Sequence, residues 1–416
     1  MADVVRVMHF SDTHFGYENY GRIDPETGLH TRLVDFRRTL TSAIASALEA
    51  GAELAVFAGD AYRRADPTQT QQREFAACIR SLTDAGVPVV LVTGNHDVPG
   101  QRGRANSVEI FRTLGVSGVT TIYRPEVVVV RTSKGADVQI AGMPHLSKSF
   151  ALSRTEAQGK SPDELRNALE QRYGDYIADL AEKCDRSLPT ILLGHFWVRN
   201  SVVSQAASSY LSIAEPQVGL SSVALAESFD YVALGHIHRH QSLNALGAPP
   251  VVYSGSIDRV DFGERDEQKG YVLVDLQRGG AQWRFVPVPA ARPMLEVEVD
   301  AEGDAPTEAI LSALRRHDLT NAIVRLTYRV SAERLPLIRE ADIRSALEAA
   351  FYVAGIRRDV RQDPRSRTRL LTESLDPATA LTHYLTHIGK SEERRDELVR
   401  YADRLMQQLH QEEAVA

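Results

Sequence analysis

Gly94-Asn95-His96-Asp97 follows the apolar run Val87-Pro88-Val89-Val90-Leu91-Val92, and the junction between the two decides how the chain is read. A short valine-rich run closed by polar residues predicts a strand buried on both faces. Ending in glycine, amide, imidazole and carboxylate, such a strand carries metal-binding and proton-transfer groups at its C-terminal tip. Ligand sites of open α/β sheets lie at that edge. Taken alone, these residues also describe an ordinary polar turn. Repetition is what raises them above it.

The arrangement recurs in both directions along the chain. Arg6-Val7-Met8-His9-Phe10 runs into Ser11-Asp12-Thr13-His14, and in extended chain Asp12 and His14 face the same side. Residues 54–58 run into Gly59-Asp60, Thr190-Ile191-Leu192-Leu193 into Gly194-His195, and Tyr231-Val232-Ala233-Leu234 into Gly235-His236-Ile237-His238. Helical patterns separate these runs. Phe36, Leu40, Ile44 and Leu48 form a stripe stopped by Gly51; further helices are predicted over 68–85 and 107–114. Ser161-Pro162-Asp163-Glu164 opens a long one with a cap, an early proline and early acids. Strand–helix alternation of this kind predicts a mainly parallel sheet with right-handed crossovers. Residues 127–130 and 138–141 form a β pair, and 251–253, 270–275 and 281–286 complete the β content.

At 416 residues the chain exceeds one typical domain, and Pro287-Val288-Pro289-Ala290-Ala291-Arg292-Pro293 is its clearest linker. Beyond the linker, β-like 295–299 and 322–330 alternate with helices near 307–316 and 341–351, a small α+β domain; the last forty or so residues read as helical. Composition is that of a globular protein, 43% hydrophobic and 25% charged. The net charge of −7 excludes a uniformly basic nucleic-acid binder, although metal ions and local patches still attract phosphate. Six arginines against two aspartates over 357–369 make one such patch. No apolar run is long enough to span a membrane. The opening residues lack signal-peptide regions, and Cys78 and Cys184 fall in helix-like stretches, so a cytoplasmic setting is expected.

Five strand ends thus supply Asp12, His14, Asp60, Asn95, His96, His195, His236 and His238. All are oxygen or imidazole donors, which suit manganese, iron or zinc and speak against a structural zinc site. One ion cannot use so many. A two-ion site with a bridging carboxylate can, with the ions about 3.5–4 Å apart as in phosphoesterases and nucleases. His9, His145 and His240 lack a partner pattern and read as structural or solvated.

The order D-x-H, G-D, G-N-H-D, G-H, G-H-x-H resembles that of the calcineurin-like metallophosphoesterases. Tyr253-Ser254-Gly255-Ser256, Arg259, Asp261-Phe262-Gly263-Glu264 and Lys269-Gly270 narrow the resemblance to the SbcD-type DNA-repair nuclease subunits. The specific motifs cover roughly the first 290 residues. The resemblance implies a metallophosphoesterase β-sandwich flanked by helices over 1–290, an α+β capping domain over 294–372 and a helical ATPase-partner-binding tail over 373–416. It implies one ion on Asp12, His14, Asp60 and His238, and another on Asp60, Asn95, His195 and His236, most often manganese. The ions acidify a water for in-line attack on phosphorus. His96 stays off the metals to stabilise phosphoryl charge or protonate the leaving oxygen, with Asp97 behind to orient it. DNA is the implied substrate, an SbcC-type coiled-coil ATPase the partner, and a homodimer the assembly. One departure stands out: where the family usually has Asp or His three residues after the second-motif Asp, this chain has Arg63.

Arg365, Arg367 and Arg369 are candidate DNA contacts on the cap. Leu398, Tyr401, Leu405 and Leu409 form an apolar stripe that either packs on the cap or meets another protein's helices. A rival reading within the superfamily is a phosphodiesterase or phosphatase on a small molecule, which predicts a compact single domain. A scaffold on a dead phosphoesterase fold predicts lost ligands, whereas all eight positions are filled.

Overall fold

The structure, a computed structural model, describes residues 4–99, 103–147, 151, 156, 158–204, 215–225, 227–244, 249–289, 291–361, 377–388 and 391–413. Its first strands are β1 (Val5–Phe10), β2 (Leu54–Phe57), β3 (Val89–Val92), β4 (Val119–Ile122), β5 (Glu126–Arg131), β6 (Asp137–Met143) and β7 (Thr190–His195). They continue as β8 (Trp197–Val198), β9 (Gln217–Val218), β10 (Tyr231–Gly235), β11 (Gln241–Ser242), β12 (Val251–Tyr253), β13 (Gly270–Gln277) and β14 (Gly280–Pro287). The helices among them are α1 (Thr31–Glu49), α2 (Gln69–Asp84), α3 (Glu109–Thr113), α4 (Pro162–Lys183) and α5 (Leu220–Val223).

Two six-stranded sheets result, ordered β14-β13-β1-β2-β3-β4 and β11-β12-β10-β7-β6-β5. In the first, β1 to β4 are parallel and β13 runs antiparallel beside β1. In the second, β6, β7, β10 and β12 are parallel between antiparallel edges. This corrects the single, mainly parallel sheet expected from strand–helix alternation, and it agrees with the helix-flanked β-sandwich that the resemblance implies. Alternating strands and helices reveal the parallel centres, but not that the chain changes sheets after β4 and returns at β13.

The sequence pattern explains the layers. Val5, Val7, Val56 and Val90 of the first sheet meet Ile140, Ile191, Leu193 and Val252 of the second, filling the space between the sheets. The alternate residues Phe10, Phe57 and Leu91 turn outward to Phe36, Leu40 and Ile44 of α1 and Phe75 and Ile79 of α2. Ala141, Leu192 and Val232 likewise pack under Leu169, Tyr173 and Ile177 of α4. Central strands such as β2 and β3 therefore have no wet face, and their residues are apolar throughout. Truncating Phe57 to alanine here should cost about 3–5 kcal/mol. Capping boxes at Thr68 and Ser161 start α2 and α4 where the sequence places them.

The chain divides into two compact units: residues 1–296 with 318–325 and 347–355, and residues 297–317, 326–346 and 356–416. Past the linker lie β15 (Met294–Asp300), α6 (Pro306–Leu314), β16 (Ile323–Ser331), α7 (Glu340–Ala346) and β17 (Tyr352–Arg361). The strands form one sheet, ordered β15-β16-β17. Here a second expectation is corrected. The helix predicted to 351 ends at Ala346, and the residues before and within the arginine run form β17. Arg358 pairs with Glu340 at 2.8 Å and Asp359 with Arg329 at 3.3 Å, so charges occupy positions where an exposed strand usually shows alternation. The helices α8 (Pro377–His387) and α9 (Glu392–Glu413) follow. Arg365, Arg367 and Arg369 lie outside the described residues.

Candidate metal centre

The tips of β1, β2 and β3 in one sheet and of β7 and β10 in the other point to the same edge. Each sheet is parallel there, so the residues that follow these strands are brought together. The tips are tied to one another by backbone bonds: Asp12 N donates to Gly59 O at 2.9 Å and His14 N to Asp60 O at 3.1 Å. Across the sheets, the amide of His236 donates to the Asp12 carboxylate at 3.1 Å. Asp12, His14, Asp60 and His236 hold positive φ of 51°, 44°, 59° and 95°. For non-glycine residues each such conformation costs on the order of 1–3 kcal/mol, and such strain gathers at functional sites.

Glycine is needed where the tips approach most closely. A Cβ on Gly94 would stand 2.1 Å from Asp60 Oδ1, and one on Gly235 would stand 2.1 Å from Ala58 O in the facing sheet.

His195, His238 and His96 are each fixed by what Nδ1 meets. His195 Nδ1 lies 2.7 Å from Ala58 O, which leaves Nε2 facing Asn95 Oδ1 at 2.9 Å and Asp60 Oδ2 at 3.4 Å. His236 turns Nδ1 to Asn95 Oδ1 at 3.0 Å. His238 Nδ1 sits 2.7 Å from Glu264 Oε1, and its Nε2 faces His14 Nε2 at 2.9 Å. His96 Nδ1 sits 2.8 Å from Arg63 O. Three clusters have donor atoms within 4.8 Å of one another: Asp12 with His14 and His238; His14 with Asp60 and His96; Asp12 with Asp60 and His195. His14 Nε2 and His238 Nε2, facing each other at 2.9 Å with the Asp12 and Asp60 carboxylates 3.9 and 3.8 Å from His14 Nε2, are groups that a divalent cation satisfies. The donor set fits such ions.

Asp97 does something other than orient the His96 ring. Its carboxylate accepts from Asp60 N and Gly94 N at 2.9 Å, Ala61 N at 3.1 Å and Ser107 Oγ at 3.0 Å. It clamps the β2 and β3 tips together, while the Arg63 carbonyl holds the His96 ring.

The electrostatics follow from burial and from these pairings. Burial and the facing His238 hold the His14 imidazole well below its usual value. Burial would raise Asp60, but His195 and His96 pull its carboxyl well below the usual range. His195 is lowered by burial and raised further by Asp60, ending at about 9. Asp97 is pushed up to about 6 by burial and by the Asp60 charge.

Sequence reading missed three neighbours of the centre. Glu264 is fully buried against His238. Glu215 Oε1 lies 3.0 Å from His236 Nε2. His145, expected to be structural or solvated, lies near the centre: burial and the charges of His195 and His236 lower it to about 4. The available signal was position, since β6 lies parallel to β7 and its tip reaches the same edge. His9 lies between the sheets, with Nδ1 3.1 Å from Tyr231 Oη and Nε2 3.2 Å from Leu234 O.

A helix-flanked double sheet with carboxylate, amide and imidazole donors on adjoining strand tips is a setting for metal-dependent phosphoester hydrolysis. The family description Calcineurin-like phosphoesterase matches residues 5–240, more than half of the chain, and the chain belongs to that family. A second description, Lipopolysaccharide kinase (Kdo/WaaP) family, matches residues 280–415, less than half of the chain, and assigns no family. The chain is similar to the DNA double-strand break repair protein Mre11 of Haloferax volcanii, with 28% identity over 391 residues, 93% of this chain and 75% of that protein. It is also similar to the SbcD component of the nuclease SbcCD of Rhodobacter capsulatus, at 28% over 75% of this chain and 76% of that one. The corresponding SbcD of Escherichia coli K12 matches at 23% over 71% of each. The chain is a metal-dependent phosphoesterase.

Proposed function

We propose that the chain is the nuclease component of a DNA break-repair assembly, hydrolysing phosphodiester bonds of DNA with two divalent ions, manganese in the working enzyme. The carrying observation is the reach of the similarity: the match to a protein named for double-strand break repair spans 93% of the chain, well past the phosphoesterase sheets. A small-molecule phosphodiesterase has no use for that additional length.

Asp12, His14, Asp60 and His238 would hold one ion, and Asp60, Asn95, His195 and His236 the other. Bound there, the ions supply Lewis acidity to the phosphate and lower the pKa of the attacking water. The chain's own groups do the rest. The Ala58 carbonyl and Glu264 keep the Nε2 atoms of His195 and His238 turned inward. The Asp97 clamp fixes the spacing of Asp60 and Asn95. With Nδ1–H donating to the Arg63 carbonyl, His96 presents Nε2 to the phosphate, and from the doubly protonated ring the Nε2 hydrogen passes to the leaving oxygen, leaving the neutral imidazole.

The protein acts as a homodimer with an SbcC-type coiled-coil ATPase, and we place it in the cytoplasm. No described helix is long and apolar enough to cross a membrane. Support for the partner comes from the tail, where Tyr384, Tyr401 and Leu405 of the last two helices, and Ile388 between them, are exposed. The domains divide as 1–290 for phosphoester cleavage, 294–372 for the cap and 373–416 for the partner. Arg365, Arg367 and Arg369 contact DNA phosphates.

Chelator-stripped protein assayed on single- and double-stranded DNA tests the reading. Activity should vanish without metal and return better with manganese than with magnesium, which takes imidazole ligands poorly. Full activity in magnesium alone overturns the metal assignment. Hydrolysis of small phosphodiesters with DNA untouched overturns the substrate.

A further inference from the structure

His238 is gripped from two sides by one buried pair. Glu264 belongs to the short turn Phe262–Glu264, and its side chain is fully buried. Its Oε1 faces His238 Nδ1 at 2.7 Å, while Oε2 meets Lys269 Nζ at 3.0 Å and Val260 N at 3.2 Å. Lys269, equally buried, sends its ammonium to the His238 carbonyl at 2.9 Å and to Glu267 Oε2 at 2.9 Å. The lysine therefore pins the backbone of His238, and the carboxylate it neutralises pins the ring.

A charged pair is a costly way merely to fill space. Desolvating both ions offsets most of their attraction, and apolar residues of similar volume pack as well or better. What an apolar filler cannot do is require a proton on one particular ring nitrogen. A carboxylate accepts only, so the ring nitrogen facing it must carry hydrogen. We propose that Glu264, held ionised and in place by Lys269, is a positioning residue of the metal centre that fixes His238 with its proton on Nδ1 and its Nε2 lone pair turned to Asp12 and His14.

The inference rests on the metal-centre reading above, and its test keeps the two apart. Metal-free full-length protein is titrated with Mn²⁺ alone in a calorimeter; the wild type should show two binding steps. Glu264→Gln should weaken one step about 10–100-fold and leave the other unchanged, the usual cost of losing a group behind a ligand. If Glu264→Gln folds poorly, the double variant Glu264→Gln/Lys269→Met removes both charges and should show the same single weakened step. Nitrogen-15 spectra of histidine-labelled, metal-free wild type supply a readout that packing alone does not dictate. His238, assigned through His238→Asn, should carry its proton on Nδ1.

Two unchanged steps in the variants overturn the proposal, as does weakening of both steps alike or a proton found on Nε2. A wild type that binds no Mn²⁺ overturns the metal-centre reading itself, before any variant is made.

Discussion

The His96 ring nitrogen Nδ1 stands 2.8 Å from the carbonyl oxygen of Arg63, the residue found where the family usually has Asp or His. The contact uses the backbone of residue 63 and not its side chain, so the substitution leaves the orientation of His96 intact. The Arg63 guanidinium lies 4.9 Å from the centre of the Tyr17 ring.

His96→Ala should therefore remove chemistry without removing metal. The expected loss is roughly a hundred- to ten-thousand-fold in rate, with both ions still present by elemental analysis. The donor atoms of His96 do stand in a cluster with His14 and Asp60, which makes metal content the deciding measurement. Loss of an ion in the variant would make His96 a ligand.

Gly94→Ala should disable the centre through contact with Asp60. The added Cβ would sit 2.1 Å from Asp60 Oδ1 and 2.5 Å from Asp60 N, so the β2 tip has to move. A stability loss of about 1–3 kcal/mol and loss of Mn²⁺ binding are expected. Gly303→Ala, where an added Cβ meets nothing within 4 Å, serves as the control in thermal melts and metal titrations. Wild-type binding by Gly94→Ala would mean that this approach does not set the spacing.

Acid should loosen the metal-free protein well above the carboxylate range. Burial lowers His9 to about 3, while an unfolded histidine titrates near 6.5. Between pH 6.5 and 4 the unfolded chain binds protons that the folded chain refuses. Stability should therefore fall as pH falls, by up to about 1.4 kcal/mol per pH unit for each such group. His14 and His145 shift in the same direction. His195, held up near 9, contributes fully below 6.5 and adds no slope in this window. Denaturant unfolding at a series of pH values measures the effect, and His9→Asn should flatten it. An unaltered slope in that variant would remove His9 from the account.

Deleting residues 374–416 should separate cleavage from partnership. The last two helices are linked by Arg395, whose guanidinium donates to Thr386 Oγ1 at 2.9 Å, and Tyr384 and Tyr401 are each 59% exposed. The truncated protein should remain folded and cleave single strands with manganese, yet neither bind the coiled-coil ATPase nor respond to ATP. Co-purification of the truncated chain with the ATPase, or its unfolding, would return the tail to the core.

The strand tips were legible in the sequence because a parallel centre needs continuous apolar runs, and each run ends in groups that have no place in a core. Sheet membership was not legible. Val92 and Leu193 are equally apolar, and nothing in either run says that they belong to different sheets. β17 escaped because its solvent-facing positions carry arginines paired with acids on neighbouring elements. Glu264 was read only as part of the stretch Asp261-Phe262-Gly263-Glu264, since its role behind His238 lies entirely in where the turn folds. Asp97 was noticed for its neighbour His96, whereas its partners are backbone amides, which sequence does not display.

The close approach of Gly235 to Ala58 has a bearing on biosynthesis. Groups that meet in the centre are far apart in the chain: Asp12 contacts the amide of a residue 224 positions later, and His195 a carbonyl 137 positions earlier. The first sheet itself is unfinished until β13 returns to lie beside β1. Contacts of such separation form late and slowly. On the ribosome, the early strands emerge with Asp12, His14, Asp60 and Asn95 long before His195, His236 and His238, so a nascent or broken chain carries only part of the proposed metal centre. The centre is therefore incomplete until the chain has passed His238, and the first sheet until β13 and β14 have joined it.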